Sequence, residues 1–207
     1  MTEGTDPPEA VRLEQLWAGE FGDAYVARNS VLDERRATFW RSLIGSAPIR
    51  TVLEIGCGQG GNLRPLSGIL EASDIWGIDV NAAAIERSRQ TAPGTNAVHS
   101  VARNLPFRDG WFDLVFTMGV LIHQPEDSLE GVMTEIVRCS RRFVLWGEYQ
   151  SEVTEEVPYR GTPGALFKRD YGAIYGSFFP QLTVRQQGFL GPDDGFDRVT
   201  WQLLEKP

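Results

Sequence analysis

Hydrophobic residues recur at helical spacing near the start of the chain. From about Glu9 to Asn29 they repeat every three or four positions, and a break is predicted near Gly19–Gly22. A second helix is predicted over 30–45, with Ser30 as its N-cap. Its apolar positions are Leu32, Phe39, Trp40, Leu43 and Ile44. The chain therefore begins with helices before any strand.

Short apolar runs then alternate with amphipathic segments. The predicted strands are Arg50–Ile55, Ile75–Val80, Ala97–Val101, Phe112–Thr117 and Arg142–Gly147. The predicted helices between them cover about 61–71, 82–91 (with Asn81 as its cap) and 126–139. This alternation is typical of βαβ units with a parallel sheet, in which ligands bind beyond the carboxyl ends of the strands.

The pattern changes again after residue 150. We predict a loop over 151–165, a helix over 165–178, and two strands, Leu182–Gln187 and Val199–Leu204, around the turn sequence GPDDG. The predicted fold is α/β: a doubly wound, mostly parallel, seven-stranded Rossmann-like sheet with an antiparallel C-terminal hairpin and an N-terminal helical lid. At 207 residues the chain fits one domain. We expect a helical cap (1–46), a cofactor-binding core (50–150), and an acceptor-side segment with the final strands (151–207).

Composition narrows the possible partners. Hydrophobic residues make up 42% and charged residues 23%, as in soluble globular proteins. A net charge of -8 argues against general binding to nucleic acid or anionic membranes. The sequence has no apolar run of membrane-spanning length, no signal-peptide pattern, and only two cysteines. We expect a cytoplasmic monomer or homodimer with a small-molecule acceptor and no metal.

The segment TVLEIGCGQGG, residues 51–61, carries the strongest chemical signal. A strand delivers Glu54, and the chain then turns through Gly56 and Gly58 into a helix. Glycines let a ligand approach the backbone, and free amides at the start of a helix point toward it. Asp79 ends the next strand, where a carboxylate can bind the two hydroxyls of a ribose.

Other interpretations of the glycines remain open. Gly56, Gly58 and Gly61 also match the dinucleotide fingerprint G-x-G-x-x-G, which predicts NAD or FAD. Glu54 argues against that cofactor, because a carboxylate repels a pyrophosphate and attracts an ammonium group. A third interpretation is that the glycines serve packing only. We favour S-adenosylmethionine.

Several motifs in order resemble the class I S-adenosylmethionine-dependent methyltransferases. They are VLEIGCGQG, GIDV, ARNLPF and WFDLVFTMGVLIH, and the resemblance covers about 50–147. It implies methyl transfer with S-adenosyl-L-homocysteine as the product. It also implies cofactor contacts at Glu54, Gly56, Cys57, Gly58, Asn62, Asp79, Val80, Asn104, Leu105, Met118, Gly119 and Val120. Asn104 departs from the acidic residue that is common there, although its amide can still bond the adenine amine.

Two outer segments resemble a narrower group. WAGEFGDAYVARN near the N-terminus, with EVPYRG and LFKRD near the C-terminus, resembles the pseudaminic acid biosynthesis-associated methylases. This resemblance implies a sugar-derived acceptor.

His123 follows the fourth core strand and is our candidate for the general base. The alternative is a histidine that caps or bonds the next helix. We also expect Trp17 and Tyr25, with Phe21, to cover the cofactor, where an aromatic face would attract the sulfonium. Ordinary core packing is the alternative for these rings. Arg28 and Asn29 are candidates for the cofactor carboxylate or the acceptor.

The acceptor is expected to meet residues beyond the fifth core strand. The candidates are Glu148, Tyr149, Tyr159, Arg160 and Lys168. The last three belong to a locally basic segment that would hold an acidic group of the acceptor, although solvated surface charge is the alternative.

Three further functions stay open: methylation of RNA or protein, a non-catalytic cofactor-binding subunit of a biosynthetic pathway, and an oxidoreductase.

Overall fold

The computed structural model describes residues 8–29 and 33–207. Its strands are β1 (Val52–Ile55), β2 (Ile75–Asp79), β3 (Asn96–His99), β4 (Phe112–Met118), β5 (Ser140–Glu148), β6 (Glu155–Glu156), β7 (Phe167–Lys168), β8 (Thr183–Leu190) and β9 (Val199–Glu205). The helices are α1 (Glu9–Ala18), α2 (Glu20–Arg28), α3 (Arg36–Gly45), α4 (Leu63–Ser67), α5 (Ala82–Thr91), α6 (Glu126–Cys139) and α7 (Tyr171–Phe178).

Seven strands form the central sheet in the order β3-β2-β1-β4-β5-β9-β8. The first five are mutually parallel, whereas β9 runs antiparallel to both β5 and β8. Ile55 at the end of β1 lies opposite Ile78 and Thr117. The predicted fold is therefore confirmed, and the loops that follow β1, β2 and β4 meet at one edge.

Helices cover both faces of the sheet. On one face, α6 and α7 pack against Val115, Val144 and Trp146. On the other, Trp40 of α3 and Leu63 of α4 pack against Phe116. Because both faces are covered, all four residues of β1 are buried, and the central strands appear in the sequence as apolar runs.

Some helix boundaries differ from the sequence prediction. The second predicted helix, 30–45, is α3 and begins at Arg36, while Ser30 and Leu32 lie outside the described residues. The predicted helix 61–71 is limited to Leu63–Ser67. In contrast, the helix 82–91 has the predicted bounds, because the Asn81 side chain accepts the amide hydrogen of Ala84 at 2.7 Å.

The helix predicted over 165–178 begins only at Tyr171, so that prediction was wrong by six residues. Phe167 and Lys168 pair instead with Glu156 and Glu155, so the start of the predicted helix forms a short antiparallel pair with a strand in the predicted loop. Asp170 then caps α7 by accepting the amide hydrogen of Ala173 at 3.0 Å. A tertiary pairing has displaced the helix start. Among the described helices, none combines the length and apolar character needed to cross a bilayer.

Candidate functional site

A cavity of about 490 Å³ lies at the carboxyl edge of the sheet. The ends of β1, β2 and β4 line its floor through Glu54, Asp79 and Met118. Helices α1 and α2 and the segment around Tyr159 line its other side. The site is where an open α/β sheet ordinarily binds a ligand.

Glu54 provides a buried carboxylate with one free oxygen. The residue is 2% exposed, and its Oε1 accepts a hydrogen bond from Asn62 Nδ2 at 2.6 Å. Its Oε2 has no hydrogen-bond partner within residues 8–29 and 33–207. Burial raises the pKa of Glu54 to about 8, while Asn62 and the charge of Arg36 oppose the rise. A buried acceptor without a partner is costly, so this oxygen fits a cationic ligand group.

Asp79 lies at the end of the neighbouring strand and lines the same cavity. Its Oδ2 accepts the amide hydrogen of Gly58, and its Oδ1 accepts that of Asn81, both at 2.8 Å. Burial raises the pKa of Asp79, and these two amide hydrogens oppose the rise. Each oxygen keeps a lone pair for a hydroxyl ligand. Val80 and Cys57 also line the cavity, and burial raises the pKa of the Cys57 thiol, which keeps it protonated.

The glycine loop needs its first glycine for two reasons. Gly56 has a φ of 69°, and a Cβ atom there would lie 2.4 Å from Val120 Cγ2. The loop after β1 therefore packs directly against the loop after β4. Gly58 also lines the cavity, where its position next to Asp79 keeps the backbone open to a ligand.

Asn104 and Leu105 do not line the cavity, contrary to the prediction from the resemblance. Asn104 is exposed, and Leu105 is 3% exposed within the hydrophobic core, where its amide donates to Glu135 at 2.7 Å. The chain after β3 instead presents Val101 and Ala102 to the cavity. The motif is at the expected edge, but the residues that face the ligand space are two or more positions earlier.

Met118, Gly119, Val120 and His123 all line the cavity, and their predicted roles stay predictions. The His123 Nδ1 atom lies 2.6 Å from the carbonyl oxygen of Ala165, so Nδ1 carries the proton and Nε2 is left as an acceptor. Burial lowers the pKa of His123 to about 4, which leaves the ring neutral at pH 7. The alternative for His123 was a hydrogen bond to the following helix. The ring bonds the carbonyl oxygen of Ala165 instead.

An aromatic cluster covers one side of the cavity. The Trp17 ring centroid lies 5.2 Å from Phe21, 5.5 Å from Tyr25, 4.4 Å from His123 and 6.1 Å from Tyr159. Trp17 Nε1 is buried and without a partner in the described part of the chain. The cluster joins the N-terminal helices, the loop after β4 and the segment around Tyr159.

Asn81 fixes these N-terminal helices to the sheet. Its Nδ2 donates to the carbonyl oxygen of Trp17 at 3.1 Å and to Asp23 Oδ1 at 2.8 Å. Gly22 lies against this contact, since a Cβ there would meet Trp17 O at 1.8 Å. Gly22 thus permits close packing, while the break predicted near Gly19–Gly22 lies at Gly19, between α1 and α2.

Tyr149, Tyr159 and Arg160 also line the cavity. The Tyr149 hydroxyl donates to Asp197 Oδ2 at 3.3 Å. Arg160 has a φ of 51°, and its guanidinium lies 5.8 Å from the Tyr159 ring centroid. A left-handed backbone costs a non-glycine residue about 1–2 kcal/mol. Arg28 and Asn29 also line the cavity from α2 and its end.

Glu148 and Lys168 do not line the cavity, so the structure gives no support to their predicted contact with an acceptor. Glu148 is completely buried under the loop after β4, because β5 turns it into the core. Lys168 is held in β7, with its Nζ 3.9 Å from Glu155.

Sequence reasoning missed several residues that line the cavity. Arg36 donates to Asn62 at 3.3 Å and to the carbonyl oxygen of Gly195 at 2.8 Å, and its guanidinium lies 4.7 Å from the Phe196 ring centroid. Phe196 and Asp197 come from the connection between β8 and β9. No local motif marks these positions, because only the folded sheet brings them to the cavity.

Known proteins resemble this chain in both sequence and fold. Residues 52–142 match the family model described as "Methyltransferase domain". The phthiotriol/phenolphthiotriol dimycocerosates methyltransferase 1 of Mycobacterium ulcerans (strain Agy99) is 35% identical over 121 residues, which is 55% of this chain and 44% of that protein. The chain spans less than half the length of the curated relatives it matches.

Two solved structures share the fold along nearly all of the chain. The magnesium protoporphyrin IX methyltransferase (ChlM) from Synechocystis PCC 6803 with bound SAM has a TM-score of 0.72 at 13% identity, covering 97% of this chain and 98% of that one. The Burkholderia thailandensis 1,6-didemethyltoxoflavin-N1-methyltransferase, with its acceptor and S-adenosylhomocysteine, has a TM-score of 0.70 at 13% identity, covering 98% and 93%.

These comparisons show that residues 52–142 resemble a methyltransferase domain and that the chain has the fold of these methyltransferases. They do not show the narrower resemblance to the pseudaminic acid biosynthesis-associated methylases, which stays a prediction.

Proposed function

We propose that the protein is an S-adenosylmethionine-dependent methyltransferase that methylates a hydroxyl or amine of a small acceptor. The observation that carries this proposal is the shared cavity of Glu54 and Asp79, each at a strand end. Glu54 has a buried oxygen free for an ammonium group, and Asp79 has lone pairs for two adjacent hydroxyls.

The residues present fit this cofactor better than a dinucleotide. A pyrophosphate at the glycine loop would lie near the Glu54 carboxylate and be repelled by it. An ammonium group would satisfy the free Oε2 and lower the pKa of Glu54 from its raised value. When bound, S-adenosylmethionine supplies a methyl group that its sulfonium already activates.

The protein's own task is then to align the acceptor, exclude water and receive a proton. Gly119 and Val120 form the wall beside His123, and Trp17 covers the ring at 4.4 Å. The carbonyl oxygen of Ala165 binds the Nδ1 hydrogen of neutral His123. Nε2 is therefore the ring atom that can take a proton from the acceptor. Although a pKa of about 4 makes His123 a weak base, the proton of a hydroxyl becomes strongly acidic as the new O–C bond forms.

We assign acceptor binding to Tyr149, Tyr159 and Arg160. All three line the cavity, and the positive-φ turn at Arg160 places its guanidinium beside the Tyr159 ring. A guanidinium there suits an acceptor with a carboxylate or phosphate. A sugar-derived acceptor with such a group, as the narrower sequence resemblance implies, stays part of the proposal.

Two measurements test the function. We expect calorimetry to show that S-adenosylhomocysteine binds and NADH does not. Incubating the protein with a metabolite extract and methyl-labelled cofactor should then yield a labelled product, identified by mass spectrometry. NADH binding in place of S-adenosylhomocysteine would contradict the proposal, and so would cofactor binding without any labelled product from extracts and defined acceptors.

A further inference from the structure

Glu148 ends β5 as a carboxylate with no exposed surface. Its Oε1 accepts the amide hydrogens of Val120 at 3.2 Å and Leu121 at 3.1 Å, and its Oε2 accepts that of Ile122 at 3.3 Å. A buried carboxylate is stable only when it is compensated, and here three successive backbone amides compensate it.

These amides belong to the segment 119–123, which we call the β4 loop. Gly119, Val120 and His123 of this loop line the cavity. Two hydrogen bonds also hold the C-terminal end of this loop. The carbonyl oxygen of Ala165 accepts a hydrogen bond from His123 Nδ1, and Arg169 donates one to the carbonyl oxygen of the next residue, Gln124, at 3.0 Å. The β4 loop is therefore held by the carboxylate of Glu148 at the end of β5 and by the guanidinium of Arg169 just before α7.

We infer that Glu148 is a positioning residue for methyl transfer: through the amides of the β4 loop, its carboxylate sets where the loop places Val120 and His123 in the cavity. Glu148 itself touches neither the cavity nor any ligand in it. This inference rests on the proposed function, because the position of the loop matters only if methyl transfer occurs beside it. It also replaces the acceptor contact that the sequence suggested for Glu148.

The protonation of Glu148 is coupled to the opening of this loop. Burial raises the pKa of Glu148 to about 7, and the three amides oppose the rise. The ionisable groups around it are Tyr171 and Tyr175 of α7, whose pKa values are raised by burial and then by the charge of Glu148, and Arg169 beside Tyr171. Neither tyrosine ionises near pH 7, so the carboxylate is the group that titrates there. Opening the loop would return the carboxyl to water, where its pKa is near the ordinary value of 4.5, so the closed loop is more stable at pH 6 than at pH 8.

The unmodified protein provides the first test. Amide hydrogen-exchange protection factors, measured by NMR without any ligand, report directly on loop opening. From pH 6 to pH 8 we expect protection at Val120, Leu121 and Ile122 to fall about tenfold, because the open loop releases the proton that the closed loop binds, with protection elsewhere in β4 and β5 unchanged. Constant loop protection over this range would overturn the inference.

The second test uses Glu148→Gln with Asp113→Asn as a matched control. Asp113 also accepts two backbone amide hydrogens, from Arg50 at 3.0 Å and Thr51 at 3.1 Å, but at the opposite end of the sheet. In Glu148→Gln the side-chain NH₂ must face an amide hydrogen. We expect loop protection to fall at least tenfold at pH 8 and to lose its pH dependence, while kcat falls at least tenfold. Asp113→Asn should leave both unchanged.

A purely structural role for Glu148 predicts a different outcome. Protection would then fall equally across β5 and α6, or kcat would stay within twofold of the parent despite a loosened loop. Either result overturns the inference. The exchange measurement needs neither cofactor nor acceptor, so its failure is distinguishable from failure of the proposed function, which would show as absent S-adenosylhomocysteine binding in the unmodified protein.

Discussion

Replacing Glu54 with glutamine removes a negative charge from a fully buried position without changing the side-chain size. Oε1 can keep its bond with Asn62, whereas Oε2, which has no partner in the described part of the chain, becomes an NH₂ group if the amide takes that orientation. The ammonium group of S-adenosylhomocysteine would then face a neutral amide. Leaving one charge of a buried pair uncompensated costs about 3–5 kcal/mol.

The raised pKa of Glu54 reduces the net effect at neutral pH. With a pKa of about 8, the parent must ionise this carboxyl on binding, which costs about 1.4 kcal/mol at pH 7. The expected net loss is therefore about 1.6–3.6 kcal/mol, or roughly 15- to 400-fold in Kd. The parent should release about 0.9 proton per ligand at pH 7, and the variant none.

Calorimetry in two buffers with different ionisation enthalpies measures both quantities. From pH 6 to pH 7 the parent's affinity should rise about tenfold, because binding selects the ionised carboxyl, and the affinity of Glu54→Gln should stay flat. Glu86→Gln, an exposed change of equal charge outside the cavity, serves as the control. An affinity of Glu54→Gln within threefold of the parent, or a parent that releases no proton, would refute the reasoning.

Three further outcomes follow from the site. Asp79→Asn sets an NH₂ group against the amide of Gly58 or Asn81, so calorimetry should show at least tenfold weaker S-adenosylhomocysteine binding, and unchanged affinity would contradict the ribose role. His123→Asn should lower kcat about 10²- to 10⁴-fold while S-adenosylhomocysteine affinity stays within threefold, and near-parent kcat would remove the base assignment. Trp17→Leu should weaken S-adenosylmethionine about 2- to 30-fold more than S-adenosylhomocysteine, whose sulfur carries no charge, and equal losses for both ligands would exclude a cation–π contact.

The raised pKa of Glu54 also affects stability. In the unfolded chain its pKa is near the ordinary value of 4.5, whereas in the folded protein it is about 8. Between these values the folded protein binds more protons than the unfolded chain. This group therefore makes the free energy of unfolding fall as pH rises from about 4.5 to about 8.

The glycine loop and its two carboxylates were predictable because their signals are local. Glu54 and Asp79 each end an apolar run, and strands that pair in parallel bring such ends together. Asn81 likewise marks the start of α5 through its own side chain. In each case a short stretch of sequence determines both the element and its end.

The remaining parts of the site depend on contacts between distant segments. Glu148 ends the apolar strand β5 and is completely buried, and no local signal distinguishes it from Glu54, which lines the cavity near the end of β1. Asp197 comes to Tyr149 only because β9 pairs with β5. The late start of α7 likewise depends on the pairing of Phe167 with Glu156.

The central claim is that Glu54 and Asp79 bind the two ends of one cofactor in a shared cavity. A crystal structure of the protein with S-adenosylhomocysteine tests this most directly. We predict that the ammonium group lies within hydrogen-bond distance of Glu54 Oε2 and that both ribose hydroxyls donate hydrogen bonds to the Asp79 carboxylate. The sulfur should lie near the β4 loop. Ligand density elsewhere on the protein, or in this cavity with the ammonium turned away from Glu54, would contradict it.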